Sequence, residues 1–139
     1  MRERTARFIV AGILLIAVVA AAPVFAEQFT CELCGMTVDG HAPFSAMIDT
    51  GKQARRIHFC DIGDLLAYVR EKRTGAANAL VRDYRSGEWI HASKAFYVHA
   101  PHRFTTPMGW SIAAFKDRAV AQEYGVPLDL ATVSRRVAP

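Results

Sequence analysis

The longest apolar stretch of the chain lies at its start. Apolar residues run from Phe8 to Ala22, three arginines precede them, and small residues lead up to Ala26. This order predicts a secretory signal peptide over residues 1–26, with a mature chain that begins at Glu27. A membrane-spanning helix needs about 20 apolar residues, and the run from Phe8 to Ala22 is shorter than that. We therefore expect export to the periplasm with no stable membrane span after cleavage; an uncleaved membrane anchor is the alternative.

The next segment has alternating and then helical periodicity. Apolar side chains alternate in Phe44–Asp49 and again around Ile57 and Phe59, which predicts the two strands of a hairpin. Asp61 is expected to cap a helix. Its apolar positions follow the i, i+3, i+4, i+7 spacing and are Ile62, Leu65, Leu66 and Val69. Gly75 is expected to end this helix.

The second half of the mature chain repeats this order more loosely. Its predicted elements are strands at Leu80–Tyr84, Phe96–His99 and Trp110–Phe115, and a helix at Arg118–Tyr124 between Asp117 and Gly125. A shift of 56 residues aligns Phe59 with Phe115, Asp61 with Asp117 and Tyr68 with Tyr124. The same strand-to-helix junction is therefore predicted twice.

These elements predict an α+β fold. Two small tandem ββα-type units, at about residues 31–75 and 79–125, are expected to pack into one compact domain over residues 27–125. The segment 126–139 contains two prolines and few periodic apolar residues. It is therefore predicted to be a flexible tail.

Composition narrows the functional classes. The chain has a formal net charge of +4, and loss of the signal peptide with three arginines and Glu3 leaves +2. No basic cluster with interleaved aromatic residues is present in the sequence, so we expect no nucleic-acid partner. Three cysteines remain in the exported part. An odd number of cysteines in an oxidising compartment leaves at least one thiol unpaired or bound to metal.

A compact group of sulfur donors follows the predicted signal peptide. Cys31-Glu32-Leu33-Cys34-Gly35-Met36 places two thiols and one thioether within six residues. Soft sulfur ligands favour Cu(I) over harder cations. The Cys-x-x-Cys spacing also occurs in zinc sites, redox enzymes and structural disulfides, so these alternatives stay open at this point.

The sequence resembles the NosL family, whose members assist the maturation of nitrous-oxide reductase. The resemblance rests on Cys34-Gly35-Met36 and on Pro107-Met108-Gly109, and it extends over roughly Cys31 to Gly125. It implies a non-enzymatic copper chaperone in which Cys34, Met36 and Met108 bind Cu(I). It also implies that the partner is apo-nitrous-oxide reductase or its copper-assembly proteins, and that the protein takes part in denitrification. Members of the family are commonly lipid-anchored, whereas this chain lacks an anchoring cysteine at the predicted cleavage site.

A shorter resemblance covers about Cys31 to Asp64. The Cys-x-x-Cys-Gly-Met start followed by His58-Phe59-Cys60-Asp61 is similar to small metal-binding domains of the YHS and TRASH type. It adds Cys31 and Cys60 to the candidate metal ligands. If strand alternation holds, Cys60 shares a face with His58, and a zinc site of Cys31, Cys34, Cys60 and His58 is one alternative to copper.

One further alternative remains. A thiol-disulfide oxidoreductase would use Cys31 and Cys34, but such enzymes place the pair at a helix N-terminus, and the glycines and β-branched residues that follow disfavour a helix. No Ser-His-Asp arrangement or phosphate-binding loop is recognisable in the sequence, so no enzymatic activity is predicted. Met47 is expected in the core, and the histidines other than His58 are expected on the surface. Whether the protein forms a homodimer is left open.

Overall fold

The computed structural model describes residues 28–51 and 55–137. The predicted signal peptide lies outside the described residues. The strands are β1 (Gln28–Thr30), β2 (Thr37–Asp39), β3 (Ala46–Asp49), β4 (Arg56–Phe59), β5 (Ala79–Arg82), β6 (Trp89–His91), β7 (Phe96–His99) and β8 (Ile112–Phe115). The helices are α1 (Ile62–Glu71), α2 (Arg118–Gln122) and α3 (Leu130–Arg136), with a 3-10 turn at Ala92–Lys94. Within these ranges no helix is long and apolar enough to cross a membrane.

The mixture of strands and helices confirms the α+β prediction. The predicted first hairpin forms as β3 and β4, which pair antiparallel with Ala46 opposite Phe59. This hairpin belongs to a four-stranded sheet of order β4-β3-β5-β6. Strand β5 was expected in the second unit, yet it pairs with β3 of the first. The predicted boundary between the units therefore does not separate two sheets.

The second ββα arrangement consists of β7, β8 and α2. Strands β7 and β8 pair antiparallel, with Phe96 opposite Phe115. Asp83, which directly follows β5, forms a β-bridge with Ala114 of β8 and so connects this pair with the four-stranded sheet. Both predicted helix caps are confirmed, because Asp61 accepts a hydrogen bond from the Gly63 N–H and Asp117 from the Ala119 N–H.

Helix α1 packs its apolar face onto the sheet that precedes it. Ile62, Leu65 and Leu66 are buried, and each buried side chain of this size stabilises the fold by about 1.5–3 kcal/mol. The helix ends at Glu71, before the predicted Gly75, and Arg73 takes a positive φ of 51°. This packing fixes the first turn of α1 relative to β4.

The prediction of a flexible tail after residue 125 was wrong for the described residues. Leu128 exchanges two backbone hydrogen bonds with Tyr97 of β7, at 2.7 and 2.8 Å. Helix α3 follows, capped by Asp129, and buries Val133 and Val137. Leu130, Val133 and Val137 are spaced i, i+3, i+7, and this short amphipathic pattern supplies enough apolar surface to hold the segment against the core.

Candidate metal site

The Cys-x-x-Cys motif forms the loop between β1 and β2. The Cys31 N–H donates to the Met36 carbonyl at 2.8 Å, and the Gly35 N–H donates to the Cys31 carbonyl at 2.9 Å. Gly35 has a φ of 73°, a backbone conformation that suits glycine. The loop is therefore a closed turn, and neither cysteine lies at a helix N-terminus. A dipole-activated redox pair of the kind found at helix N-termini is absent from this loop.

A second segment brings Cys60 and Asp64 to the same place. Cys60 follows β4 directly, and Asp64 lies in the first turn of α1, four residues later. Four ligand atoms, one each from the group Cys31, Cys34, Cys60 and Asp64, all lie within 4.8 Å of one another.

Hydrogen bonds connect these four side chains. The Cys31 and Cys60 thiols each donate to Oδ2 of Asp64, at 3.5 Å in both cases. The Cys34 and Cys60 Sγ atoms are 3.5 Å apart. Cys31, Cys60 and Asp64 are buried, whereas Cys34 is partly exposed. The cluster is thus a small pocket of donor atoms with one thiol towards solvent.

Trp110 holds Asp64 from the other side. Its indole Nε1–H donates to Oδ1 of Asp64 at 2.9 Å. The ring lies so close to α1 that a Cβ on Gly63 would be 1.9 Å from Cγ of Trp110. Trp110 had been predicted to begin a strand, but β8 begins at Ile112, and Ser111 has a positive φ of 55°. This bend at Ser111 separates Trp110 from the strand that follows it.

The loop that carries Met108 is joined to the same helix end. The Met108 N–H donates to Oδ2 of Asp61 at 3.1 Å. Burial raises the pKa of the Asp61 carboxyl, although hydrogen bonds from Thr106, Gly63 and Met108 oppose the rise. The Met108 side chain is 43% exposed, and that of Met36 is 46% exposed. The two predicted thioether ligands are therefore surface residues on the two loops that border the thiol cluster.

Comparison with known proteins identifies the family of the chain. The sequence matches the family model described as NosL over residues 23–126, which is most of the chain. The chain belongs to the NosL family. The resemblance expected from the Cys34 and Met108 motifs is thereby confirmed.

The fold of this family member also resembles a solved structure. That structure is described as the crystal structure of the copper chaperone NosL from Shewanella denitrificans, with a TM-score of 0.62. The sequences are 20% identical, and the match covers 74% of this chain and 87% of the other. At that identity the likeness shows a shared fold. No curated protein matches the sequence.

The electrostatics of this NosL-family site favour neutral thiols when no cation is bound. Burial raises the pKa of the Cys60 thiol, and hydrogen bonding to Cys34 raises it further. Burial also raises the pKa of Cys34. A bound cation reverses this preference because it stabilises thiolates. Three thiols and one carboxylate within 4.8 Å accordingly fit a soft or borderline cation that displaces protons as it binds.

The structure brings together some of the predicted ligands and leaves others apart. Cys31, Cys34 and Cys60 converge, whereas the His58 ring stacks on Phe29 with centroids 3.7 Å apart and is not among the four grouped donors. The zinc site predicted with His58 as fourth ligand is therefore not the arrangement found. Sequence reasoning missed Asp64. The i, i+4 spacing from Cys60 to Asp64, which places both at one helix end, was the signal available.

Proposed function

We propose that this chain is an exported Cu(I)-binding metallochaperone and that copper is its cargo. The observation that carries the proposal is the convergence of Cys31, Cys34 and Cys60 beside two exposed methionine loops. Sulfur ligands select Cu(I) among the common metal ions. Membership of the NosL family and the fold shared with a copper chaperone support the same reading.

The chemistry of the site suits capture followed by release. Two buried thiols, Cys31 and Cys60, hold the ion, and the partly exposed Cys34 faces the solvent side. Met36 and Met108 supply neutral thioethers, which are weaker ligands than thiolates and release the ion more readily. An incoming ligand from a recipient binds the ion before Cys34 leaves, so the ion is never free in solution.

The remaining parts of the proposal rest on the sequence. The predicted signal peptide supports export to the periplasm. The family resemblance supports delivery to apo-nitrous-oxide reductase or to its copper-assembly proteins. A carrier of this kind performs no chemical conversion, in agreement with the lack of a recognisable catalytic motif in the sequence.

Asp64 favours a second candidate. Three thiolates and one carboxylate make a four-donor set that suits tetrahedral zinc, and the carboxylate is a poor ligand for Cu(I). In the copper reading Asp64 is not a ligand. It keeps the hydrogen bond from the Trp110 indole and loses those from the thiols, which are deprotonated when the cation binds. The two readings differ in their dependence on the methionines.

Competition titrations distinguish these readings. The reduced protein is titrated anaerobically with Cu(I) against a chromophoric chelator, and separately with Zn²⁺. For Met36→Leu and Met108→Leu we expect Cu(I) affinity to fall about tenfold each while zinc affinity stays unchanged, by analogy with the 10–100-fold losses typical of supporting groups at metal sites. Met47→Leu is the matched control, because Met47 is 4% exposed and lies in β3.

The outcomes are clear on both sides. Tight binding of one Cu(I) per chain that weakens in both surface variants and not in the Met47 control supports the copper chaperone. Zinc binding that exceeds Cu(I) binding, with indifference to both methionines, contradicts it and favours the zinc site.

A further inference from the structure

The three cysteines of the metal site are all free thiols, and their Sγ atoms lie within 4.8 Å of one another. The Sγ atoms of Cys34 and Cys60 are 3.5 Å apart. A disulfide bond is about 2.05 Å long. The two atoms therefore need to approach by about 1.5 Å for a bond to form between the β1–β2 loop and the start of α1.

Access to the pair is one-sided. Cys60 is 3% exposed and Cys31 is 1% exposed, whereas Cys34 is partly exposed. A dissolved disulfide therefore meets Cys34 first. Cys31 is also held in place by its backbone, because its N–H and its carbonyl both take part in the hydrogen bonds that close the loop.

We propose that Cys34 and Cys60 are an oxidative modification site. When no metal is bound, they form a disulfide bond with each other, and a small-molecule disulfide is the oxidant. The Cys34 sulfur attacks one sulfur of the reagent, which forms a mixed disulfide and releases one thiol. The Cys60 sulfur then attacks the Cys34 sulfur and releases the second thiol. Two protein thiols are oxidised, one reagent disulfide is reduced, and the two protein protons leave on the released thiols.

This pairing differs from the one that the Cys-x-x-Cys spacing suggests. Cys31 and Cys34 are three residues apart within one turn, but the sulfur contact at 3.5 Å joins Cys34 to a residue 26 positions further along the chain. Cys31 stays reduced and keeps its hydrogen bond to Asp64. Oxidation would remove two of the three thiolate ligands, so it would prevent Cu(I) capture; this consequence alone rests on the proposed function.

Peptide mapping reads the pairing directly. The reduced, metal-free protein is treated with glutathione disulfide, its remaining thiols are alkylated, and it is digested with trypsin and a Glu-specific protease. Because Glu27 and Glu32 flank Cys31, the three cysteines fall in separate fragments, which cover residues 28–32, 33–52 and 57–70. We expect fragment 33–52 to be cross-linked to 57–70, with Cys31 alkylated. Any cross-link to fragment 28–32 as the main product, or glutathione that persists on Cys34, overturns the proposal.

Variants and metal loading provide controls. Cys31→Ser should form the same cross-link, whereas Cys60→Ser should stop at the mixed disulfide on Cys34. Loading the unmodified protein with Cu(I) before oxidation should block the cross-link without any substitution. If the cross-link forms in the metal-free protein and Cu(I) does not prevent it, the modification site is supported and the proposed copper site is contradicted. The two proposals are therefore tested separately.

Discussion

The two strand-to-helix junctions of this protein share a scaffold and differ in chemistry. Each has a buried phenylalanine at the end of a strand, one intervening residue, and an aspartate that caps the next helix. In the first junction the intervening residue is Cys60 and its cap, Asp61, is buried. In the second it is Lys116, which forms an ion pair with Glu88 on the surface, and the cap, Asp117, is exposed. The same backbone thus positions a thiol in one unit and a solvated cation in the other.

The surroundings explain this difference. The first junction is covered by the Cys31–Cys34 loop and by Trp110, which exclude water from Asp64. Among the described residues, no equivalent loop covers Lys116 and Asp117 of the second junction, and both are exposed. This junction is fixed instead by the Lys116 N–H, which donates to Asp83 at 2.8 Å, and by aromatic packing of Phe115 on Tyr124. In this protein the four donor atoms therefore converge at the junction that a second segment closes over.

The largest expected effect separates the two junctions by function. Cys60→Ser should lower Cu(I) affinity by more than about 100-fold, because the loss of a thiolate ligand exceeds the 10–100-fold effect of supporting groups. Lys116→Ser, at the equivalent position, should leave affinity unchanged. Anaerobic competition titration measures both. Equal effects of the two substitutions would contradict the assignment of the first junction as the site.

Part of this site follows from the sequence and part does not. The sulfur-rich motif and Cys60 identify three thiol donors, because cysteines at these spacings are typical of metal-binding motifs. Asp64 does not stand out, since it lies on the helix face opposite Ile62, where the apolar pattern predicts exposure. Only the fold shows that Trp110 covers it, and that contact joins residues 46 positions apart.

The fold was predictable to a similar degree. The α+β class, the β3–β4 hairpin and both aspartate caps follow from local periodicity and capping chemistry. The pairing of β5 with β3 and the docking of α3 are non-local, and no local pattern specifies a strand's partner. Helix α3 is also short, so its three apolar positions gave little periodicity to read.

A glycine distinguishes the junctions by packing. Gly63→Ala should destabilise the protein by about 3 kcal/mol, at the upper end of overpacking effects, because the new Cβ displaces the Trp110 ring. Cu(I) affinity should fall with it as Asp64 loses its indole donor. The second junction already has alanine at the equivalent position, and Ala119→Gly should cost about 1 kcal/mol or less. Denaturant unfolding of both variants checks this order; an unchanged Gly63→Ala variant would contradict the close packing.

The two caps should differ in strength. Asp61→Ala leaves the buried N–H group of Gly63 and the partly buried N–H group of Met108 without their acceptor. Its expected cost is about 2–3 kcal/mol, against about 1 kcal/mol for the exposed Asp117→Ala. Unfolding free energies of the apo-protein test the comparison. Equal costs would mean that the first cap has no role beyond that of an ordinary helix start.

The smallest effect concerns acid stability at the second junction. Burial opposes ionisation of Asp83, but hydrogen bonds from Lys116 and Ser86 outweigh it and lower its pKa. A lowered carboxyl pKa stabilises the fold above the ordinary Asp value of about 3.9 and loses that contribution as pH falls further. We expect Asp83→Asn to remove up to about 1 kcal/mol at neutral pH and to flatten the decline below pH 4. A variant whose pH profile runs parallel to that of the unmodified protein would contradict this role.

X-ray absorption spectroscopy at the copper edge, on the reduced protein loaded with one equivalent of Cu(I), tests directly whether the sulfur cluster binds copper. We expect a single bound Cu(I) with a shell of two to four sulfur ligands, from the cluster Cys31, Cys34 and Cys60 with the neighbouring thioethers. A shell dominated by nitrogen or oxygen, or copper that is lost on desalting, would contradict it.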